Sequence, residues 1–387
     1  MRARELGIRI GRMRPGDLNA ITDVPGVRVG HMTLVDGDGP LRPGEGPIRT
    51  GVTVVVLHDG DVWTEPIFAG CHRLNGNGEL TGLEWIREAG MLGGAIGLTN
   101  THSVGVVRDA LVAAAVRTHS PREAFWSLPV VGETYDGVLN DINGFHVKAD
   151  HLHAALAAAA GGPVAEGNVG GGTGMICHEF KGGIGTASRR TSDEADAWTV
   201  GVLVQANYGA RELLRVDGVP VGASIPRDEV PSPYDQLDEL LGGSAGGRRT
   251  EAGERAVAEG GSIIAIVATD APLLPHQCAR VAQRVGLGLG RMGSYAAHSS
   301  GDLFLAFATG NRGLPREDGR GAPAILDLRM LPDPQISPIF EATVEATEEA
   351  IVNALVAAET MTGRDGITAH ALDHERLRGA MRRYGRG

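Results

Sequence analysis

The chain carries a hydroxyl residue at a place where it could become a nucleophile. Gly260-Gly261-Ser262 leads straight into Ile263-Ile264-Ala265-Ile266-Val267-Ala268-Thr269. If the Gly261–Ser262 bond breaks, Ser262 becomes a chain start. Its free α-amine, with a pKa of about 8, can then take the proton of its own hydroxyl and activate a weak nucleophile. Glycine before the serine tolerates the strained backbone of an N-to-O acyl shift. A second motif, His298-Ser299-Ser300-Gly301-Asp302, opens the next apolar segment. Neighbouring strands starting at Ser262 and near Asp302 would bring these groups to one end of a sheet. Ser300 could then bond to Ser262 while Asp302 orients Ser300, in the nucleophile–relay–acid logic of a triad. Plainer readings stay open on the residues alone: Gly242-Gly243-Ser244 repeats the junction, and Ser-Ser-Gly-Asp is ordinary turn chemistry.

The elements that must position these groups are legible from the apolar pattern. Residues 27–34, 52–57, 95–98, 198–205, 262–269 and 303–309 read as strands, being short, apolar and bounded by Gly, Asp or Asn. Residues 80–89, 104–118, 149–160, 273–287 and 341–361 read as helices by periodicity and Ala or Leu content. The mixture predicts an α/β fold with strands buried on both faces beneath helical layers. Residues 242–261 break the rhythm: they are Gly, Ala and charge, with Val257 the one larger apolar side chain. Such a stretch buries too little surface to order itself, and it reads as a linker or as a processing loop.

Composition narrows the function. A net charge of -11 argues against a nucleic-acid partner, which calls for a basic face. The basic cluster Arg376 to Arg386 reads as cations at a helix C-terminus. No apolar run approaches the roughly 18–20 residues of a membrane helix, and the basic start lacks the apolar stretch of a secretory signal. A cytoplasmic chain with no membrane partner is expected. Cys71, Cys177 and Cys278 are widely spaced, which suits buried small side chains rather than a disulfide framework or a zinc site. The 13 histidines show no ligand spacing: His151 and His153 face different ways on a helix, and His72, His102, His178 and His298 lack partners. No metal and no cofactor are expected. Gly167-Asn-Val-Gly-Gly-Gly-Thr-Gly174 looks like a phosphate cradle but lacks the Gly-Lys-Ser/Thr ending and the GxGxxG spacing; close backbone packing accounts for it better.

Eight ordered segments together resemble one family. They are Ile21-Thr-Asp-Val-Pro-Gly-Val-Arg-Val-Gly-His31, Gly76-Asn-Gly-Glu-Leu-Thr-Gly82, Leu98-Thr-Asn-Thr-His-Ser-Val-Gly105, Gly132-Glu-Thr-Tyr-Asp-Gly137, Gly167-Asn-Val-Gly-Gly-Gly-Thr-Gly-Met175, Gln205-Ala-Asn-Tyr-Gly209, the Gly-Gly-Ser junction and His298-Ser-Ser-Gly-Asp302. The chain is similar to the L-aminopeptidase/D-Ala-esterase-amidase and β-peptidyl aminopeptidase family, which shares its fold with ornithine acetyltransferase.

The resemblance implies a four-layer αββα sandwich of the N-terminal-nucleophile type, formed by a single domain, 1–387, that cuts itself into 1–261 and 262–387 with 242–261 as the processing loop. It implies Ser262 as nucleophile, Ser300 and Asp302 as supporting groups, and Asn207 as a side-chain donor to the oxyanion. Glu133 would pair with the substrate's free amino group and Tyr135 would touch the substrate. By its residues alone Glu133 reads instead as a solvated turn position, because Tyr135-Asp136-Gly137 follows it. The implied activity is release of N-terminal amino acids from small peptides, amides or esters, by a homo-oligomer. Acyl transfer of the ornithine acetyltransferase type and a non-catalytic, uncut relative are the alternatives. Serine rather than threonine at the nucleophile position favours the hydrolase.

Overall fold

The computed structural model describes every residue except 121–124, 195–196, 243–260, 317 and 387. The first part of the chain forms β1 (Arg28–Asp36), β2 (Ile48–Val56), β3 (Ile67–Arg73), α1 (Leu83–Ala89), β4 (Met91–Leu92), β5 (Ile96–Asn100), α2 (Val104–Thr118), β6 (Val130–Thr134) and α3 (Ala149–Ala157). A short hairpin of β7 (Ile176–Cys177) and β8 (Phe180–Lys181) precedes β9 (Gly183–Arg190), β10 (Thr199–Asn207) and α4 (Pro233–Leu240). The remainder holds β11 (Ser262–Thr269), α5 (Pro275–Arg291), β12 (Gly301–Ala308), α6 (Ser337–Ala357), the pair β13 (Met361–Thr362) and β14 (Thr368–Ala369), and α7 (His374–Arg383).

Two sheets carry the fold. The smaller has the order β1-β2-β5-β6 and the larger β4-β3-β12-β11-β10-β9. In the larger sheet β11 and β12 run parallel, and every other neighbouring pair is antiparallel. A parallel pair needs a crossover, and α5 supplies it. Side chains of β11 alternate between two cores, as a pleat dictates. Ile264, Ile266 and Ala268 join Val55, Ile96, Leu98 and Val130 of the other sheet. Ile263, Ala265 and Val267 join Val281 and Val285 of α5 and Ala346 and Ala350 of α6. On the far side of the smaller sheet, Val52 and Val54 pack with Val107 and Leu111 of α2 and with Leu152 and Ala155 of α3. Helix, sheet, sheet and helix are therefore stacked, and the architecture is the four-layer αββα sandwich.

Besides the two-residue strands, β3, β6 and β9 are not visible in the apolar pattern, for separate reasons. β9 reads Gly-Ile-Gly-Thr-Ala-Ser-Arg-Arg, and its polar end is buried because Arg189 is paired with Glu345 and Glu349 of α6 at 3.0 and 2.6 Å. β6 is hidden by the turn-like residues after it, and the apolar start of β3 is broken by Gly70 and ends in Cys-His-Arg. Helix α5 continues to Arg291, past the expected end at 287, because Gly288 lets Thr347 of α6 approach: a Cβ there would stand 2.6 Å from the Thr347 Cβ. Helix α6 begins at Ser337 rather than 341, with proline in its first turn, where no amide donor is lost. Residues 243–260, most of the expected processing loop, lie outside the described residues. Among the described residues no helix is long and apolar enough to cross a membrane.

Candidate active site

Ser262 is the first residue of β11, in the middle of the larger sheet. Its Cα is paired with Asn207 at the end of β10 and with Gly301 at the start of β12. The strand ends thus gather three of the segments singled out in the sequence. Two glycines make the convergence possible. A Cβ at Gly301 would stand 2.9 Å from Ser262 Oγ and 2.3 Å from the Asn77 carbonyl oxygen. A Cβ at Gly261 would stand 2.3 Å from the Asn207 carbonyl oxygen. Gly301 also donates its amide to the Gly261 carbonyl at 3.0 Å, so the carbonyl of the Gly261–Ser262 bond already has a donor upon it.

A cavity of about 610 Å³ opens over Ser262. Ser262, Asn207, Glu133 and Tyr135 line it, together with Glu79 and Thr101. An apolar wall is made by Val138 and by Tyr234 and Leu237 of α4. Its lining holds two carboxylates and, among the described residues, no lysine, arginine or histidine. Glu133 is not the solvated turn residue that its neighbours suggest: it lies in β6, is 3% exposed, and accepts from the Glu79 amide at 2.9 Å and from Thr101 Oγ1 at 2.5 Å. Burial raises its pKa above the ordinary glutamate value, and those two donors oppose the rise. Tyr135, by contrast, is 48% exposed at the cavity edge. Asn207 accepts from the Ile176 amide through Oδ1 at 2.8 Å and donates through Nδ2 to the Tyr135 carbonyl at 2.9 Å. An amide nitrogen carries two donors, so one N–H of Asn207 remains for a group in the cavity.

Ser300 and Asp302 are placed differently. The Ser300 hydroxyl donates to Asp302 Oδ1 at 2.7 Å, and Asn75 Nδ2 lies 3.3 Å from Oδ2. Burial pushes the Asp302 carboxyl up to about 6, against the pull of hydrogen bonds from Ser300, the Ile263 backbone and Asn75. In the uncut chain no hydrogen bond joins Ser300 to Ser262, and the pleat gives the reason. Ser262 shares its face with Ile264 and Ile266, towards the other sheet, whereas Asp302 pairs with Ile263 and shares its face with Phe304 and Ala306, towards the helices. Ser300 lines a separate space of about 20 Å³ with His178 and Tyr208.

Asn75, Thr101 and Glu79 went unnoticed as site residues in the sequence. Glu79 and Thr101 stand inside motifs quoted above, so motif membership was the available signal; Asn75 lies one residue before its motif and carried none. The glycine run before Met175 is packed rather than open: a Cβ at Gly171 would stand 2.0 Å from Gln205 Oε1 and one at Gly172 would stand 2.4 Å from the Ile184 amide nitrogen.

The pattern of Peptidase family S58 matches residues 19–369. The chain belongs to peptidase family S58. Among S58 relatives, the β-peptidyl aminopeptidase BapA of Sphingosinicella microcystinivorans is 48% identical over 386 residues, spanning 100% of this chain and 93% of that protein. The BapA of Sphingosinicella xenopeptidilytica is 43% identical, over 98% and 91% of the two chains. The solved structure of a Burkholderia sp. β-aminopeptidase superposes with a TM-score of 0.88 at 54% identity, covering 100% of this chain and 99% of that one. The L-aminopeptidase D-Ala-esterase/amidase of Ochrobactrum anthropi, described as a variant of the Ntn hydrolase fold, superposes with a TM-score of 0.87 at 43% identity, over 100% and 99%. This S58 chain is accordingly a hydrolase of the aminopeptidase kind with an N-terminal-nucleophile fold.

Proposed function

We propose that the chain is a precursor that cleaves its own Gly261–Ser262 bond and then removes N-terminal amino acids from small peptides, amides or esters through an acyl-enzyme on Ser262. One observation carries the reading: the residue that would become the new chain start lines a cavity whose charged groups, among the described residues, are carboxylates alone. Self-cleavage begins with attack of Ser262 Oγ on the Gly261 carbonyl, which the Gly301 amide polarises. The resulting ester hydrolyses and leaves residues 1–261 and 262–387 packed together. In turnover the substrate's ammonium pairs with Glu133, and the first carbonyl is attacked by Ser262, with the new α-amine taking the hydroxyl proton. The free N–H of Asn207 receives the oxyanion; a preorganised donor of this kind is worth about 3–4 kcal/mol. Water then releases the acyl group. Ser300 and Asp302 serve Ser262 from the strand end, where the new amine is formed.

Selection for a free amino terminus follows from burial. A carboxylate shielded from water favours an ammonium partner and is left unpaired when none arrives. The apolar wall of Val138, Tyr234 and Leu237 suits an uncharged side chain on the amino acid released, and the names of the BapA relatives bring β-amino acids into the substrate range to be assayed. The same reading takes the protein to be a cytoplasmic homo-oligomer. Exposed apolar side chains at Ile325, Leu328 and Met330 support assembly, and light scattering should give a multiple of the 40.4 kDa chain.

The test is the intact mass of denatured wild type beside Ser262→Ala. Wild type should give fragments of about 27 and about 13 kDa, in proportion to chain length, and the variant a single 40.4 kDa chain. An uncut wild type would remove the nucleophile assignment.

A further inference from the structure

A buried hairpin stands directly behind Asn207, and its construction is unusual. Its two turn residues, His178 and Glu179, both take left-handed backbone, at φ 48° and φ 63°, which is costly for residues with a side chain and persists only where the surroundings over-determine it. Here they do. The His178 amide donates to the Tyr208 carbonyl at 2.7 Å, and His178 Nδ1 bonds the Ala210 carbonyl at 2.9 Å. The Glu179 carboxylate accepts from the Arg211 amide at 3.0 Å and from Arg227 at 2.7 Å. The turn is thus stitched to the residues that immediately follow Asn207.

The other end of the hairpin is held by a lysine with no exposed surface. Lys181 Nζ donates to the carbonyls of Met175 at 2.6 Å, Gly182 at 2.8 Å and Gly172 at 3.2 Å. Three acceptors match the three donors of an ammonium, and among the described residues no carboxylate pairs with it. Met175 is the residue before Ile176, whose amide is the donor that fixes Asn207 Oδ1. Without that donor the Asn207 amide could turn over and present oxygen, rather than N–H, to the cavity.

We propose that Lys181 is a positioning residue for the Asn207 amide, acting through the buried hairpin of β7 and β8. The proposal rests on the reading of Asn207 as oxyanion donor, so the experiment is a cycle that separates the two. Lys181→Met, Asn207→Ala and the double variant are compared for self-cleavage rate by intact mass, for kcat and KM of the matured fraction on an aminoacyl p-nitroanilide, and for thermal unfolding. Lys181→Met should lower kcat roughly ten- to hundredfold, as a donor displaced by about 1 Å does, with KM within about twofold. In the Asn207→Ala background the same change should cost less than about twofold, because the group it positions is gone. Wild-type kcat in Lys181→Met, or its full penalty repeated in the double variant, overturns the proposal. Wild-type kcat in Asn207→Ala overturns the oxyanion reading itself. If Lys181→Met does not fold, Lys181→Gln, which keeps two donors, takes its place in the cycle. If neither folds, Lys181 serves only the fold and the proposal fails.

Discussion

Replacing Asp302 by Asn should change how stability depends on pH, whatever it does to stability at any one pH. In the folded chain the Asp302 carboxyl sits at about 6, against the ordinary 3.8, because it is buried beneath the strand ends. Between those values the folded state holds a proton that the unfolded chain has released. Stability from this group is therefore complete below the unfolded pKa and is lost as pH rises through the folded one. At 1.36 kcal/mol per pH unit, the upper part of that span, from pH 4.5 to 7.5, is worth on the order of 2 kcal/mol. Other buried acids titrate in the same window, Asp136 and Glu166 among them, so the useful quantity is the difference between two proteins. Urea unfolding of Ser262→Ala and of Ser262→Ala/Asp302→Asn, both kept whole by the first change, gives that difference at each pH. It should move in favour of the Asn variant by about 2 kcal/mol as pH rises across the window. A flat difference, or one that moves towards the Asp protein, would show that Asp302 is not held protonated by burial.

Glu133→Gln should lower kcat/KM on substrates with a free amino group by about a hundredfold, since a buried charge pair is worth roughly 2–5 kcal/mol. The loss of wild-type rate on acidification, as Glu133 protonates at its raised pKa, should vanish with it; an unchanged acid limb in a pH–rate profile would dissociate Glu133 from amine binding. Gly261→Ala should slow the appearance of the two fragments at least tenfold, because its Cβ would stand 2.3 Å from the Asn207 carbonyl oxygen and a displacement of about 1 Å at a reacting centre can cost a hundredfold. Ser300→Ala should retard both self-cleavage and turnover, and near-wild-type values for both would end the supporting role given to Ser300 and Asp302.

Some of this site was legible from residues alone, and the reason is periodicity. The run after Ser262 is continuous and β-branched, so both the strand and its first residue could be read directly, and the two-residue spacing of Ser300 and Asp302 places them on one face of a strand. Which face that is relative to Ser262 depends on the register between β11 and β12, and a register between strands separated by a helix has no local signal. Glu133 failed for the opposite reason: the local signal, Tyr-Asp-Gly, was real but belonged to the turn after β6. The eight-segment resemblance supplied what local pattern could not. Lys181 had neither kind of signal, because a lysine with three carbonyl partners looks in sequence like any surface lysine.

Strand order has a consequence for how such a protein can be made. Residues 262–387 contribute β12 and β11, and residues 1–261 contribute β3 on one side of them and β10 on the other. Once the Gly261–Ser262 bond is cut, the smaller piece cannot leave without tearing two ladders and two cores at once. Nor do the separated pieces retain a covalent instruction to return to the middle of that sheet. The native arrangement would then be encoded by the uncut chain and merely inherited by the mature one. Unfolding of the cut protein should be a one-way event, governed by the height of a barrier, and only the uncut Ser262→Ala chain should refold to where it began.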